Sequence, residues 1–189
     1  MSREKAKMKL DVRTMTLIAA FTALIAVGAF LRIPGPVPKT FQLFFTVLAG
    51  LLLGSRGGAA SAGLYVLLGL CGVPLFTQGG GFSYVLHPNF GYLIGFIVGA
   101  WVIGRIVEQS GSAEPSIGRL LCAAYVGMII VYVIGVVWLF VITNYVLGVT
   151  MSAWKAFMYG FLVLVPGDIV LCGLAAFLAR RLRKAMRFM

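Results

Sequence analysis

Six long apolar stretches with almost no charge occupy most of this chain, at about 14–31, 41–53, 59–76, 91–107, 117–142 and 154–178. With 61% hydrophobic and 11% charged residues among 189, the chain carries more apolar surface than a soluble core of that size can bury. A bilayer admits only helices or closed barrels, because every backbone amide must be satisfied internally, and runs of about 18 residues suit helices. The sequence predicts an all-α integral membrane protein, a compact bundle of six transmembrane helices. It forms a single domain over 1–189, with basic tails at about 1–13 and 180–189. The second stretch, near 20 Å at about 1.5 Å per residue, falls short of a core of about 30 Å and predicts a tilted, partial or internally buried helix.

Sixteen Lys and Arg against five acids give a formal charge of +11, which in a soluble domain would suggest nucleic acid. Their positions argue otherwise. With both termini in the cytoplasm, only Arg32, Lys39 and Lys155 fall outside, as the positive-inside rule asks of a multi-pass cell-membrane protein. The first apolar run ends in RIPGPVP without a small-x-small cleavage pattern, so it reads as a retained helix rather than a signal peptide. Cys71, Cys122 and Cys172 are scattered in apolar stretches without metal-ligand or CxxC spacing, and read as packing residues.

Asp168 lies in FLVLVPGDIVLCGLAAFLA and is the lone carboxylate of the apolar stretches; Glu4, Asp11, Glu108 and Glu114 belong to the basic tail or a polar connection. A carboxylate at mid-bilayer costs roughly 2.5–3.5 kcal/mol on insertion scales, so it is kept where it faces a partner, a cavity or a ligand. Pro166 removes a donor and frees the carbonyl of Leu162, while Gly167 loosens the backbone, so a broken helix lining a cavity is expected. Leu164, Val165, Leu171 and Cys172, its neighbours on the helix, cannot satisfy a carboxylate, and the partner must come from elsewhere. Two readings stand: an interhelical hydrogen-bond acceptor, or a ligand contact.

Two outer connections are candidates for the rest of a site. RIPGPVPKTFQ alternates Pro34, Pro36 and Pro38 and should be stiff and extended, suited to a lid. TQGGGFSYVLHPNFGY sets Gly79, Gly80 and Gly81 before Tyr84, His87, Asn89 and Tyr92, so free backbone leads into a polar and aromatic cluster.

Taken together, Pro38, Thr40 and Gln42, then GLLLGSRGG, the glycine loop leading to PNFGYLIGF, and VPGD resemble the BioY family of biotin-binding membrane proteins. Members are the substrate-capturing subunits of energy-coupling factor transporters, and the resemblance covers nearly the whole chain. It implies a six-helix subunit that takes up biotin with a transmembrane coupling protein and a pair of cytoplasmic ATPases, without cofactor or metal. Asp168 would accept from a ureido N–H, and Asn89 would serve the ureido carbonyl or second N–H. Gln42, Gly80 and Gly81 fall in the same motifs, and Phe41, Phe82, Tyr84, Tyr92 and Phe161 offer walls. Relatives often carry a basic residue three positions after the acid; Leu171 stands there in this chain, which leaves Arg32 and Lys39 as candidates for the valerate carboxylate.

Alternatives are a subunit for another vitamin, or an embedded hydrolase pairing His87 with Asp168. The second lacks a recognisable nucleophile or metal motif. There is no GxxxxGK[ST] loop, so ATP-driven release would fall to a partner. Ala19 and Ala23, small residues four apart on the first helix, are the expected docking surface for it.

Overall fold

The computed structural model describes residues 11–33, 37–111 and 115–187, apart from the side chains of Ile33 and of residues 185–187. Pro34 and Pro36 of the expected stiff loop, Glu114, and Arg3, Lys5, Lys7 and Lys9 of the basic tail lie outside the described residues. The chain is helical: α1 is Val12–Phe30, α2 Gln42–Leu70, α3 Phe90–Glu108, α4 Ile117–Val141, α5 Ala153–Phe157 and α6 Val165–Arg187. Two-residue strands β1, Arg32–Ile33, and β2, Lys39–Thr40, pair antiparallel between α1 and α2. A 3₁₀ turn, Phe82–Leu86, precedes α3, and π-helical turns at Ile142–Val146 and Met158–Leu162 follow α4 and α5. Counting those turns with their helices, five stretches among the described residues are long and apolar enough to cross a membrane. This is a multi-pass membrane protein.

The second and third apolar stretches are the two arms of α2. Gly54, at φ 75° and ψ −171°, interrupts the helix, a backbone geometry that Gly adopts without a Cβ penalty. A straight helix would hold Gln42 and Tyr65 about 35 Å apart, yet Gln42 Nε2 donates to the Tyr65 hydroxyl at 2.8 Å. The arms therefore fold back on each other. Gly57 and Gly58, expected to continue the break, are helical instead. Gly58 lies against the opposite arm, where an added Cβ would come within 2.7 Å of the Gly50 Cα.

A helix interrupted at one residue strands a donor and an acceptor. Here both are matched from distant elements. The amide of Ser55 donates to Glu108 Oε1 at 2.7 Å, and the Ser55 hydroxyl meets both oxygens of the same carboxylate. The carbonyl of Leu51, which would have accepted from Ser55, accepts from the Arg183 guanidinium of α6. Glu108 is thus more than part of a polar connection: it ties the end of α3 to the turn of α2.

The core gathers Ile25, Val47, Leu51, Tyr65, Ile103 and Leu120, all essentially sealed. Outward-facing Val133, Val137, Leu174 and Phe177 are each more than half exposed, as expected of surfaces solvated by lipid.

Candidate ligand-binding site

The expected break in the last apolar stretch is present, but its parts differ from the sequence reading. Pro166 is the second residue of α6, where its missing donor costs nothing. The carbonyl that gains an outside partner is that of Gly160, which accepts from the Tyr92 hydroxyl of α3 at 2.8 Å, because Leu164 N–H turns to Phe161 instead. Asp168 consequently sits in the first turn of α6, where the helix dipole favours a negative charge.

The Asp168 partner is Tyr132 of α4, whose hydroxyl donates to Oδ2. Tyr132 is buried and packs edge-on against Tyr92 and Phe161, at ring centroid separations of 6.2 and 5.1 Å, so its hydroxyl is aimed by the two rings that hold its own. Nothing in the sequence around Tyr132 marked it. It lies 36 positions before Asp168 in a stretch that is otherwise mostly apolar packing, and it is one of two tyrosines on α4, with nothing local to separate it from Tyr125.

Asp168 opens into a cavity of about 610 Å³, mouth included. One wall is the connection before α2, residues 37–40, with Lys39 and Thr40. Gln42 and Leu43 open α2, Thr77 and Tyr84 come from the glycine-rich connection, and Asn89, Tyr92, Leu93 and Phe96 from the start of α3. Val131, Tyr132, Leu164 and Asp168 complete it. Of the expected site residues, this brings together Asp168, Asn89, Tyr92, Gln42, Tyr84 and Lys39.

The others lie elsewhere. Phe82 is 78% exposed and Phe41 44%, and neither lines the cavity; nor does the exposed Arg32, which pairs with Thr40 across the β-ladder. Gly80 and Gly81 act beneath the site: Gly81 N–H donates to the Gly69 carbonyl at 2.7 Å, and a Cβ on Gly80 would strike the carbonyl of Val73. Close backbone approach is what this glycine pair provides, and it seats the 3₁₀ turn that carries Tyr84.

Several polar groups in the wall are already engaged. Gln42 accepts from Thr40 Oγ1 at 3.1 Å while donating to Tyr65, whose hydroxyl passes on to the Leu75 carbonyl. Tyr84 shares a hydrogen bond with Thr77 and stacks on His87, and burial raises its phenol above the usual range. Asn89 differs: its side chain is buried, and neither its oxygen nor its nitrogen has a partner among the described residues. His87 Nε2 bonds to Gln78 at 2.8 Å and its Nδ1 accepts from the Asn89 backbone N–H, so His87 holds the backbone that presents Asn89. His87 and Asp168 engage different partners, Gln78 and Tyr132, which removes the basis for a catalytic pair.

The BioY family model matches residues 2–188. The chain belongs to the BioY family. A probable biotin transporter BioY of Lysinibacillus sphaericus is 45% identical over 175 residues, 92% of this chain and 88% of the relative. The biotin transporter BioY of Thermotoga maritima is 39% identical over 92% of this chain and 97% of its own. Among solved structures, the S-component for biotin from an ECF-type ABC transporter superposes with a TM-score of 0.81 at 30% identity, covering 92% of each chain. These relatives are transporter components, not enzymes, and the hydrolase alternative falls with them.

Proposed function

We propose that this chain captures biotin in the cavity described above, as the substrate-binding subunit of an energy-coupling factor transporter. The observation that carries the reading is the Asn89 amide, buried in the cavity wall with both ends unpaired among the described residues. Such a group costs about 1–3 kcal/mol, a cost that a ligand can remove. A ureido ring, with two N–H donors and one carbonyl, is complementary to an amide beside a carboxylate. Asp168 Oδ1 accepts one ureido N–H as a charge-assisted bond, and Asn89 takes the carbonyl or the other N–H. Rings of Tyr84, Tyr92 and Phe96, with Leu93 and Leu164, flank the thiophane and valerate chain. Lys39 supplies the cation for the valerate carboxylate, with the exposed Arg32 as the second candidate. Gln42 braces the wall rather than contacting ligand first, since both ends of its amide are in use.

Each arm of α2 crosses the membrane, giving six spans, a count supported by the contact between Gln42 and Tyr65. An even number returns both termini to one side, and the excess of Lys and Arg makes that side the cytoplasm. The chain has no nucleotide-binding loop, so energy comes from a transmembrane coupling protein and a pair of ATPases. Ala19 and Ala23, both exposed on α1, are the surface offered to that coupling protein.

Titration calorimetry of biotin into the detergent-purified chain tests the substrate, with thiamine and riboflavin alongside. Saturable heat from biotin alone, near one per chain, is the expected result. Heat from another vitamin with none from biotin would overturn it.

A further inference from the structure

A second cavity lies at the opposite kind of chemistry, between the start of α4 and the end of α6. Pro115, Ser116 and Leu120 form one side, and Arg180, Arg183 and Lys184 the other. Among the described residues no acid lines it, and Arg180 and Lys184 have no ion-pair partner. Arg183 is fixed in direction by its bond to the Leu51 carbonyl, so one of the three cations is held in place before any ligand arrives. The N-terminus of α4, capped by Ser116, adds the positive end of a 25-residue helix.

What sits next to the cavity identifies its occupant. On a helix, positions 177, 180, 181 and 184 share one face. Phe177 is 59% exposed and Leu178 39%, and one turn on, the same face becomes Arg180, Arg181 and Lys184. An apolar surface that gives way to a pocket of cations at the end of a membrane span matches an amphiphile with an anionic head. Basic pockets between helices at the cytoplasmic face recognise phosphate-bearing headgroups in this way. Free phosphate would use the cations alone, whereas a phospholipid would use them together with the lipid-facing Leu174, Phe177 and Leu178.

We propose that the cavity bounded by Ser116, Arg180, Arg183 and Lys184 binds the phosphate of an anionic phospholipid, with its acyl chains along the exposed apolar face of α6.

The test is the thermal midpoint of the detergent-purified full chain, titrated with phosphatidylglycerol, with phosphatidylcholine, and with inorganic phosphate at constant ionic strength. Phosphatidylglycerol should raise the midpoint saturably, and the other two should not. The R180Q/K184Q variant should lose that rise while binding biotin as the parent does; Arg183 is left in place because it also serves Leu51. If the double variant does not fold, Lys184→Gln alone should at least halve the rise. An equal rise with phosphatidylcholine, or an unchanged rise in the variants, would overturn the site. A matching rise with inorganic phosphate would replace the lipid by a free anion.

Discussion

Tyr132 of α4 and Asp168 of α6 are joined by a hydrogen bond from the phenol to Oδ2, which leaves Oδ1 as the oxygen available to a ligand. The two substitutions separate the roles. Asp168→Asn should weaken biotin at least tenfold, since a hydrogen bond to a charged group is worth about 1.5–3 kcal/mol. Tyr132→Phe keeps the ring contacts and removes only the bond that aims the carboxylate, so a smaller loss, about three- to tenfold, is expected. Calorimetric affinities of the two variants check both; an Asp168→Asn affinity equal to the parent would make this acid a purely interhelical acceptor.

Asn89 should respond with opposite signs in two measurements. In Asn89→Leu an unsatisfied buried amide is replaced by an apolar group of similar size, so the ligand-free thermal midpoint should hold or rise. Biotin affinity should fall by tenfold or more in the same variant. A lower midpoint without ligand would mean that the amide is already satisfied in the free protein.

Glu108→Ala should destabilise by about 1–3 kcal/mol, because the Ser55 amide and hydroxyl both lose their acceptor. Gly54→Ala should cost at least as much, since a residue with a Cβ is strained at φ 75° and that Cβ would press on the Glu108 carboxylate. Denaturation midpoints report both. Biotin affinity of the folded fraction should stay near the parent value, as neither residue lines the cavity.

His87 introduces a pH dependence near the site. Burial holds its imidazole below the usual value near 6.5, so the unfolded chain binds the proton more readily than the folded one. Stability from this residue is therefore fully present above about pH 6.5 and is lost as pH falls through the lower folded value. Protonated Nδ1 can no longer accept from the Asn89 backbone N–H, so biotin affinity should decline in the same window. Midpoints of the parent and His87→Gln should converge as pH is lowered from 7 to 5; parallel curves would clear His87 of the effect.

Ala23→Trp should leave biotin binding by the isolated chain intact and abolish coupled uptake, because the residue is exposed on α1 and absent from the cavity. Co-purification with the coupling subunits, measured beside uptake, locates the defect; intact assembly and uptake would put the docking surface elsewhere.

Hydropathy made the helices legible, and one carboxylate in an apolar stretch singled out Asp168, because burial of charge is costly enough to be informative by itself. Asn89, Tyr84 and Tyr92 were legible as polar and aromatic residues clustered beside a glycine loop. Tyr132 was not, since Tyr is common in helices and only the packing of α4 on α6 brings its hydroxyl to the acid. Phe82 and Phe41 misled for the converse reason: an aromatic next to a motif carries no information about the side to which it turns. The apolar stretches read as ending near 53 and resuming near 59, whereas one glycine, Gly54, turns the chain and Gly58 lets the arms touch.

The turn at Gly54 also orders events during synthesis. Its stranded amide waits for Glu108, 53 residues later, and its stranded carbonyl for Arg183, 132 residues later. At about 5–20 residues per second the ribosome takes about 7–26 s to pass from Leu51 to Arg183, and only then can the second of these form. Truncations that stop before Arg183 should therefore leave the upstream helices inserted and the Ser55 amide held by Glu108, but with the Leu51 carbonyl unpaired and the bend at residue 54 more open to protease, so that the last helix closes a joint laid down among the first.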